Sequence, residues 1–588
     1  NNRTRSGLAI IQTAIILGIL GDVLLRQVPW GLNVLLFNLA FAAGLYILLR
    51  RHARQRLTGQ TYALLGAQVF FSAMFVWRDA IELRVADTFA IVIILGVLFL
   101  PTLKVTAKAA GVFQYVIGVL WAGINSAFAA GAVLGSDVGW SELQIGGWRK
   151  HALSVVRGVL IASPLVLIFG ALFMAADAVY DGWVRATLNV DLSVVFSHGI
   201  MFTIFAWLTA GYFRGALFAG ASPAPAATLS IMKKETAEPR ESKVDLFRSE
   251  TGEDPVVLPG GKTVVEHINT PDDPPLAEER SEPAAKEPKR PEWSWAKIDN
   301  SIVPGFTLGA VEVGVILGLV NLLFLSFVIF QVPYLFGGMD LVQNTPDFKL
   351  ADYARRGFGE LVAVAGLVLP MLLVSHWLLK KESSSAQRLF RILAGVQIVL
   401  LFVIMASAVQ RLVLLTGNLG YGLTTVRLYP MIFMTWLAVV FIWFSVTVLR
   451  NARQHFAWGA LWAAFAILGA THVLNPDKFI VDTNVGLMRH GREFDASYNS
   501  TLSDDALPSL MGTFDNLSEP DKQIVIRRIA GRFCDMRAET GLRSWNLSRW
   551  QAAKLLNSDA ALVKEREGCN ICSCRYCRHY DFLWSVFA

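Results

Sequence analysis

At 588 residues, with 54% hydrophobic side chains, 17% charged ones and a mean hydropathy of +0.47, the chain is too apolar for a string of soluble domains. Apolar runs close to the roughly 20 residues that cross a bilayer recur along it. The net charge of +7 excludes little by itself, because the basic residues gather between the apolar runs, as in loops facing the cytoplasm, and do not mark a nucleic-acid partner.

The first run follows Arg3 and Arg5 and ends near Leu25. It lacks a small-residue cleavage site and holds Asp22, so it reads as a retained span and not a secretory signal. Further runs lie at about 31–49, 62–77, 88–103, 109–135, 153–175 and 195–218. From Ala221 to Lys297 the composition turns to Pro, Glu, Lys and Ser, too polar to offset the cost of ordering, which predicts a disordered linker. Five runs follow, at about 306–332, 361–379, 392–415, 426–449 and 456–473, and then a polar region. Within it, Ser503 with Asp504 and Asp505, Ser518 with Asp521, and Ser548 read as starts of three helices.

Basic loops give the orientation. Arg50, Arg51, Arg54 and Arg56, then Lys380, Lys381, Arg388 and Arg391, then Arg450 and Arg453 mark cytoplasmic loops. The acidic stretches Asp79 to Asp87 and Asp177 to Asp191 go outside. Parity then requires an even number of spans before the linker. The Gly- and Ala-rich segment 109–135, with Asn125 and Ser126 at its middle, is expected to enter and return, or to lie along the interface. The expected fold is an all-α polytopic helical membrane protein: a membrane bundle over 1–220, a cytoplasmic disordered linker over 221–297, a second bundle over 298–473, and a small helical domain outside over 474–588.

Several stretches carry a resemblance. They are Leu20 to Leu25 with Trp30-Gly31-Leu32, Trp77-Arg78-Asp79, Tyr334 to Gly338, and Tyr353-Ala354-Arg355-Arg356-Gly357-Phe358 running on to Leu361. After the last span come Leu474-Asn475-Pro476-Asp477, Phe494 to Tyr498, Leu502 to Pro508, and Arg543 to Ser548. Together they resemble a family of uncharacterised bacterial multi-pass membrane proteins, a domain of unknown function. The resemblance implies the architecture and a bacterial cytoplasmic (inner) membrane, and it brings no catalytic residue.

The candidate ligand or interface motif is Asp352, Tyr353, Arg355, Arg356 and Glu360, leading into an apolar run. Its guanidinium groups suit a phosphate or carboxylate. The bland reading pairs Asp352 with Arg356 and Arg356 with Glu360 at helical spacing, as an interface anchor. Glu312 and Asp22 are candidate intramembrane polar residues, and an acid at membrane depth is a functional hypothesis by default. Against that, Glu312 lies near the start of its run between paired glycines, and Asp22 has Arg26 four residues on. His198 and His376 look packed or interfacial, and His472 is better placed, near Asn475 and Asp477.

Cys569, Cys572, Cys574 and Cys577 are spaced too tightly for the usual zinc knuckles and read as disulfide-forming in an outer domain. The Gly-Gly-Lys-Thr at 260–263 lacks the earlier glycine of a phosphate loop, and no HExxH, GxSxG or dinucleotide fingerprint occurs. These readings favour a non-catalytic envelope interaction or signalling protein with no cofactor, partnered by membrane lipid and another membrane or envelope protein. A secondary transporter and a membrane-embedded transferase are the alternatives.

Overall fold

The computed structural model describes residues 2–26, 28–139, 192–218, 310–336, 358–379, 384–413, 416, 422–450, 455–538 and 541–558. The chain divides into two compact units, one made of Asn1–Pro225 with Trp295–Ala588 and the other Ala226–Ser294. The second unit, and with it the expected linker, lies outside the described residues. So do the apolar run at 153–175 and the cysteine cluster.

Every regular element among the described residues is helical. The first half contains α1 (Asn2–Leu25), α2 (Leu32–His52), α3 (Gly59–Trp77), α4 (Ile81–Phe99), α5 (Val112–Phe128) and α6 (Leu192–Leu217). The second half has α7 (Ala310–Phe336), α8 (Phe358–Leu378), α9 (Ser384–Val413), α10 (Thr425–Thr447) and α11 (Phe456–Leu474). After these come α12 (Pro476–Arg489), α13 (Leu507–Gly512), α14 (Glu519–Ala538) and α15 (Leu547–Ser558).

Nine of the described helices are long and apolar enough to cross a membrane, so the chain is a multi-pass membrane protein. The run expected at 62–77 forms α3, which is not among the nine. The reason is its polar interior: Gln68 and Ser72 are fully buried, the Gln68 amide donates to Asn38 Oδ1 at 3.3 Å, and Ser72 Oγ donates to Gln68 O at 2.7 Å. Packing between α2 and α4 supplies what its hydropathy lacks.

The segment expected to enter and return forms α5 followed by a shorter helical piece, Ala130–Asp137, bent by 52° from it. Its two ends meet the same end of the bundle. Before α5, the Lys108 amide donates to Gln60 Oε1 at 3.2 Å, at the start of α3. After the bend, Asp137 pairs with Arg3 at 2.7 Å, at the start of α1, and with Arg214 near the end of α6. Where α6 crosses α5, a Cβ on Gly211 would sit 2.4 Å from the Asn125 carbonyl oxygen, so only glycine permits the approach.

The halves are not separate bundles. Phe71 and Phe75 of α3 and Ile94 of α4 share one apolar cluster with Ala457, Leu461 and Phe465 of α11. The Phe71 and Phe465 rings stand 5.1 Å apart. A second-half core of Leu317, Ala365, Leu372, Leu401 and Phe441 joins α7 to α10. The polar C-terminal region closes a core of its own around Ile480, Val481, Leu510, Val525 and Ile529, which also takes in Leu423 and Leu428 at the start of α10.

Candidate functional site

The short polar stretches that flank the spans meet in one place. At the end of α3, Arg78 is extended (φ −112°, ψ 151°), so the chain turns back at once into α4. That leaves the first amides of α4 without helical partners, as at any helix start. The carboxylate of Asp505, more than 400 residues further along the chain, sits at that end and binds the two amides just ahead of the helix: Asp79 N and Ala80 N donate to Oδ2 at 2.7 and 2.9 Å. Oδ1 accepts from Ser548 Oγ and from Arg78 Nη1, the latter at 3.4 Å. A carboxylate at this position also meets the positive end of the helix dipole.

The other strands of the node come from the break between α11 and α12. Asn475 takes a left-handed conformation (φ 54°), its side chain accepts from Lys478 N at 3.3 Å, and Pro476 starts the new helix without needing a partner for an amide. Asp477, in that first turn, is buried and accepts from Ser503 N at 2.9 Å and from the Ser503 hydroxyl. Burial, with the Glu82 and Asp505 carboxylates adding to it, raises the Asp477 carboxyl above its ordinary value of 3.8 against the opposing Ser503 hydrogen bonds. Asp504 is likewise raised by burial, with Arg532 at 3.3 Å working the other way.

One helical turn back on α11, His472 Nε2 lies 2.9 Å from Asp87 Oδ1 on α4, with both side chains essentially inaccessible to solvent. Arg78 Nε donates to the His472 carbonyl at 2.8 Å, so the pair and the Asp505 joint share one arginine. From the C-terminal side, Asn546 Nδ2 donates to Phe75 O and to Arg78 O, both at 2.8 Å, and Ser548 Oγ lies 2.9 Å from Trp77 O. Arg549 Nη2 donates to Trp30 O at 2.9 Å, and the Leu32 amide donates to Trp545 O at 2.9 Å. A Cβ on Gly31 would meet Trp545 O at 2.4 Å, so glycine is what lets the two chains touch.

Two expected helix starts are corrected here. Ser503 and Asp505 do not cap α13, which begins at Leu507 behind Ala506 with no side-chain cap, because both side chains are committed to the node. Asn546, not Ser548, caps α15, its Oδ1 accepting from Arg549 N at 3.0 Å. At the third start, Asp521 N lies 3.4 Å from Ser518 Oγ, the capping geometry read from the sequence.

Of the candidate site residues, Asp352, Tyr353, Arg355 and Arg356 lie outside the described residues, as do Cys569, Cys572, Cys574 and Cys577. Glu360 is exposed in the first turn of α8. Glu312 is exposed in the first turn of α7. A Cβ on Gly314 beside it would meet Leu389 at 3.0 Å, whereas one on Gly318 would meet nothing within 4 Å, so only the first of the pair marks a close helix contact. Asp22 joins Arg26 at 2.7 Å and also His198 at 2.6 Å, and Arg26 reaches Ser197 Oγ at 2.7 Å. None of these three acids enters the node. Among the described residues no three His, Cys, Asp or Glu side chains converge as a metal site.

The sequence matches the family described as a domain of unknown function (DUF4153) over residues 65–243 and 274–512. No curated protein and no solved structure matches it.

Proposed function

The chain belongs to the DUF4153 family, and from that premise we propose that it works by binding and coupling and not by catalysis. Its helical C-terminal domain is latched onto one end of the membrane body and presents a surface there to an envelope partner. The observation that carries this reading is the Asp505 joint: one buried carboxylate spends its acceptors on the start of α4, on Arg78 and on Ser548, and so ties three distant segments together. Reactive groups left open to substrate would argue for an enzyme. Here both Asp505 oxygens are taken up by donors, and the neighbouring atoms without a hydrogen-bond partner, His472 Nδ1, Asp87 Oδ2 and Asp477 Oδ1, are buried and not open to substrate.

The basic residues Arg50, Arg51, Arg54, Arg56, Lys104 and Lys108 gather at the end where α2 finishes and α3 begins, and the node occupies the opposite end of α3 and α4. By the charge rule this arrangement supports a node and a C-terminal domain outside the cytoplasm. The shared end of Lys108 and Asp137 supports a segment that enters and returns or lies along the interface.

Crosslinking and affinity purification of the full chain, wild type against Asp505→Asn at matched membrane abundance, tests the proposal. A set of envelope proteins recovered with the wild type and depleted with the variant is expected. Identical sets in both would overturn it.

One observation favours a second reading, a transporter. Gln397 on α9 is fully buried, with neither amide atom hydrogen-bonded, and the Oδ1 of nearby Asn321 is also without a partner, although its Nδ2 donates to Leu393 O at 2.9 Å. Polar atoms left so inside a span call for water or a bound polar species. Solute uptake into proteoliposomes that is lost in Gln397→Leu would move the conclusion to transport.

A further inference from the structure

The composition of residues 541–550 is that of an extramembrane segment, yet the chain lays it against the ends of two spans. Arg543 Nη1 donates to the Val23 carbonyl at 3.1 Å. Val23 is two residues inside the end of α1, and its own side chain is exposed on the outside of the bundle. Trp545 O accepts from Leu32 N, the first residue of α2, and Ser544 O and Trp545 O press against Gly31. The short turn Leu542–Ser544 is therefore level with the tip of the α1–α2 hairpin, where both spans leave the hydrocarbon.

The side chains at that level are apolar or aromatic, and they face outward. Leu542 is 86% exposed and Trp545 38%, and beside them on the hairpin Val28 is 73% and Trp30 42% exposed. In water such a patch would be costly. At a headgroup boundary it is what the boundary favours, since tryptophan rings and arginine side chains anchor there.

We propose that the turn 542–545, together with Val28 and Trp30, is a lipid-facing anchor seated in the interfacial layer, which makes the C-terminal domain a partly embedded element and not a free extramembrane one. Its occupant is the lipid bilayer: the patch is continuous with the lipid-facing side of α1, and Arg543 brings a cation to the depth of the phosphates. This goes beyond the latch described above, because the latch fixes the domain to the protein and the anchor fixes it to the membrane.

The test places a diazirine amino acid at position 542 in the full chain, reconstituted in nanodiscs of phosphatidylethanolamine and phosphatidylglycerol. The same probe at 519 is the control, since the Glu519 side chain is 81% exposed at the acidic start of α14. After photolysis, lipid adducts at 542 well above those at 519 are expected. Quenching by water alone at 542, equal lipid labelling at both positions, or crosslinks from 542 to protein in cell membranes would each overturn the proposal, the last in favour of a protein partner. Position 542 is exposed enough for the probe to leave folding intact, and monodispersity by size exclusion checks this.

Discussion

Asp505→Asn keeps the shape of the side chain and removes its charge. The amide that results offers one acceptor oxygen where the carboxylate offered two. If the oxygen takes the place of Oδ2, Arg78 loses its acceptor and the Ser548 hydroxyl turns to the Trp77 carbonyl; if it takes the place of Oδ1, the amides of Asp79 and Ala80 lose theirs. Either way two hydrogen bonds to the charged group are lost. Hydrogen bonds to a charged group are each worth about 1.5–3 kcal/mol, so the loss is about 3 kcal/mol at the lower end. Every 1.4 kcal/mol is tenfold, so local opening should become on the order of a hundredfold more frequent. Hydrogen exchange read by mass spectrometry is the assay, on the full chain in nanodiscs, following peptides over 77–84 and 541–550. Both should lose protection together in the variant, while peptides from α6 stay unchanged. Wild-type protection in both regions would refute the reasoning, since it would show that the apolar core of the domain holds it in place without the carboxylate.

Three further outcomes are expected. Asp87→Asn, His472→Gln and the double variant should give a coupling energy above about 1 kcal/mol in a thermal-unfolding cycle, because the pair is sealed from solvent; additive effects would show that the two residues act independently. Gly31→Ala should push Trp545 away at a cost of about 1–3 kcal/mol and speed exchange at the Leu32 amide, whose partner is the Trp545 carbonyl. Burial raises Asp477 above 3.8, so the folded chain holds that proton more tightly than the unfolded one. Its contribution to stability is full below 3.8 and is lost as pH rises through the folded value. Thermal melts at rising pH should therefore show falling stability across that window, with a shallower slope in Asp477→Asn; equal slopes would count against a protonated Asp477.

The architecture was legible because a span is a local property: some twenty apolar residues declare it without reference to the rest of the chain. The multi-pass character and the all-α class rest on that. The α3 helix was harder, since its Gln68 is made tolerable by Asn38 on α2, and its Ser72 by a bond back into its own helix. The node was half visible. Trp77-Arg78-Asp79, Leu474 to Asp477, Leu502 to Pro508 and Arg543 to Ser548 each stood out as stretches that carry the family resemblance, but nothing in one of them names another. Asp505 looked like a helix cap because capping is the local use of such a residue, and a partner several hundred residues away outcompeted it. His472 was seen without Asp87 for the same reason.

The joint at Asp505 also has an order of events built into it. Asp79 and Ala80 leave the ribosome with more than 400 residues still to be made before their acceptor appears, and Arg78 waits longer still for Asn546. Throughout that interval the start of α4 and the Phe75 carbonyl must be satisfied by water or by the insertion machinery. The latch can close only when α11 has been delivered to the same face and the C-terminal helices have folded against it. A chain interrupted anywhere after α4 would display that open helix start and the bare edge at Gly31, so an incompletely assembled molecule carries a recognisable mark that the finished one has covered.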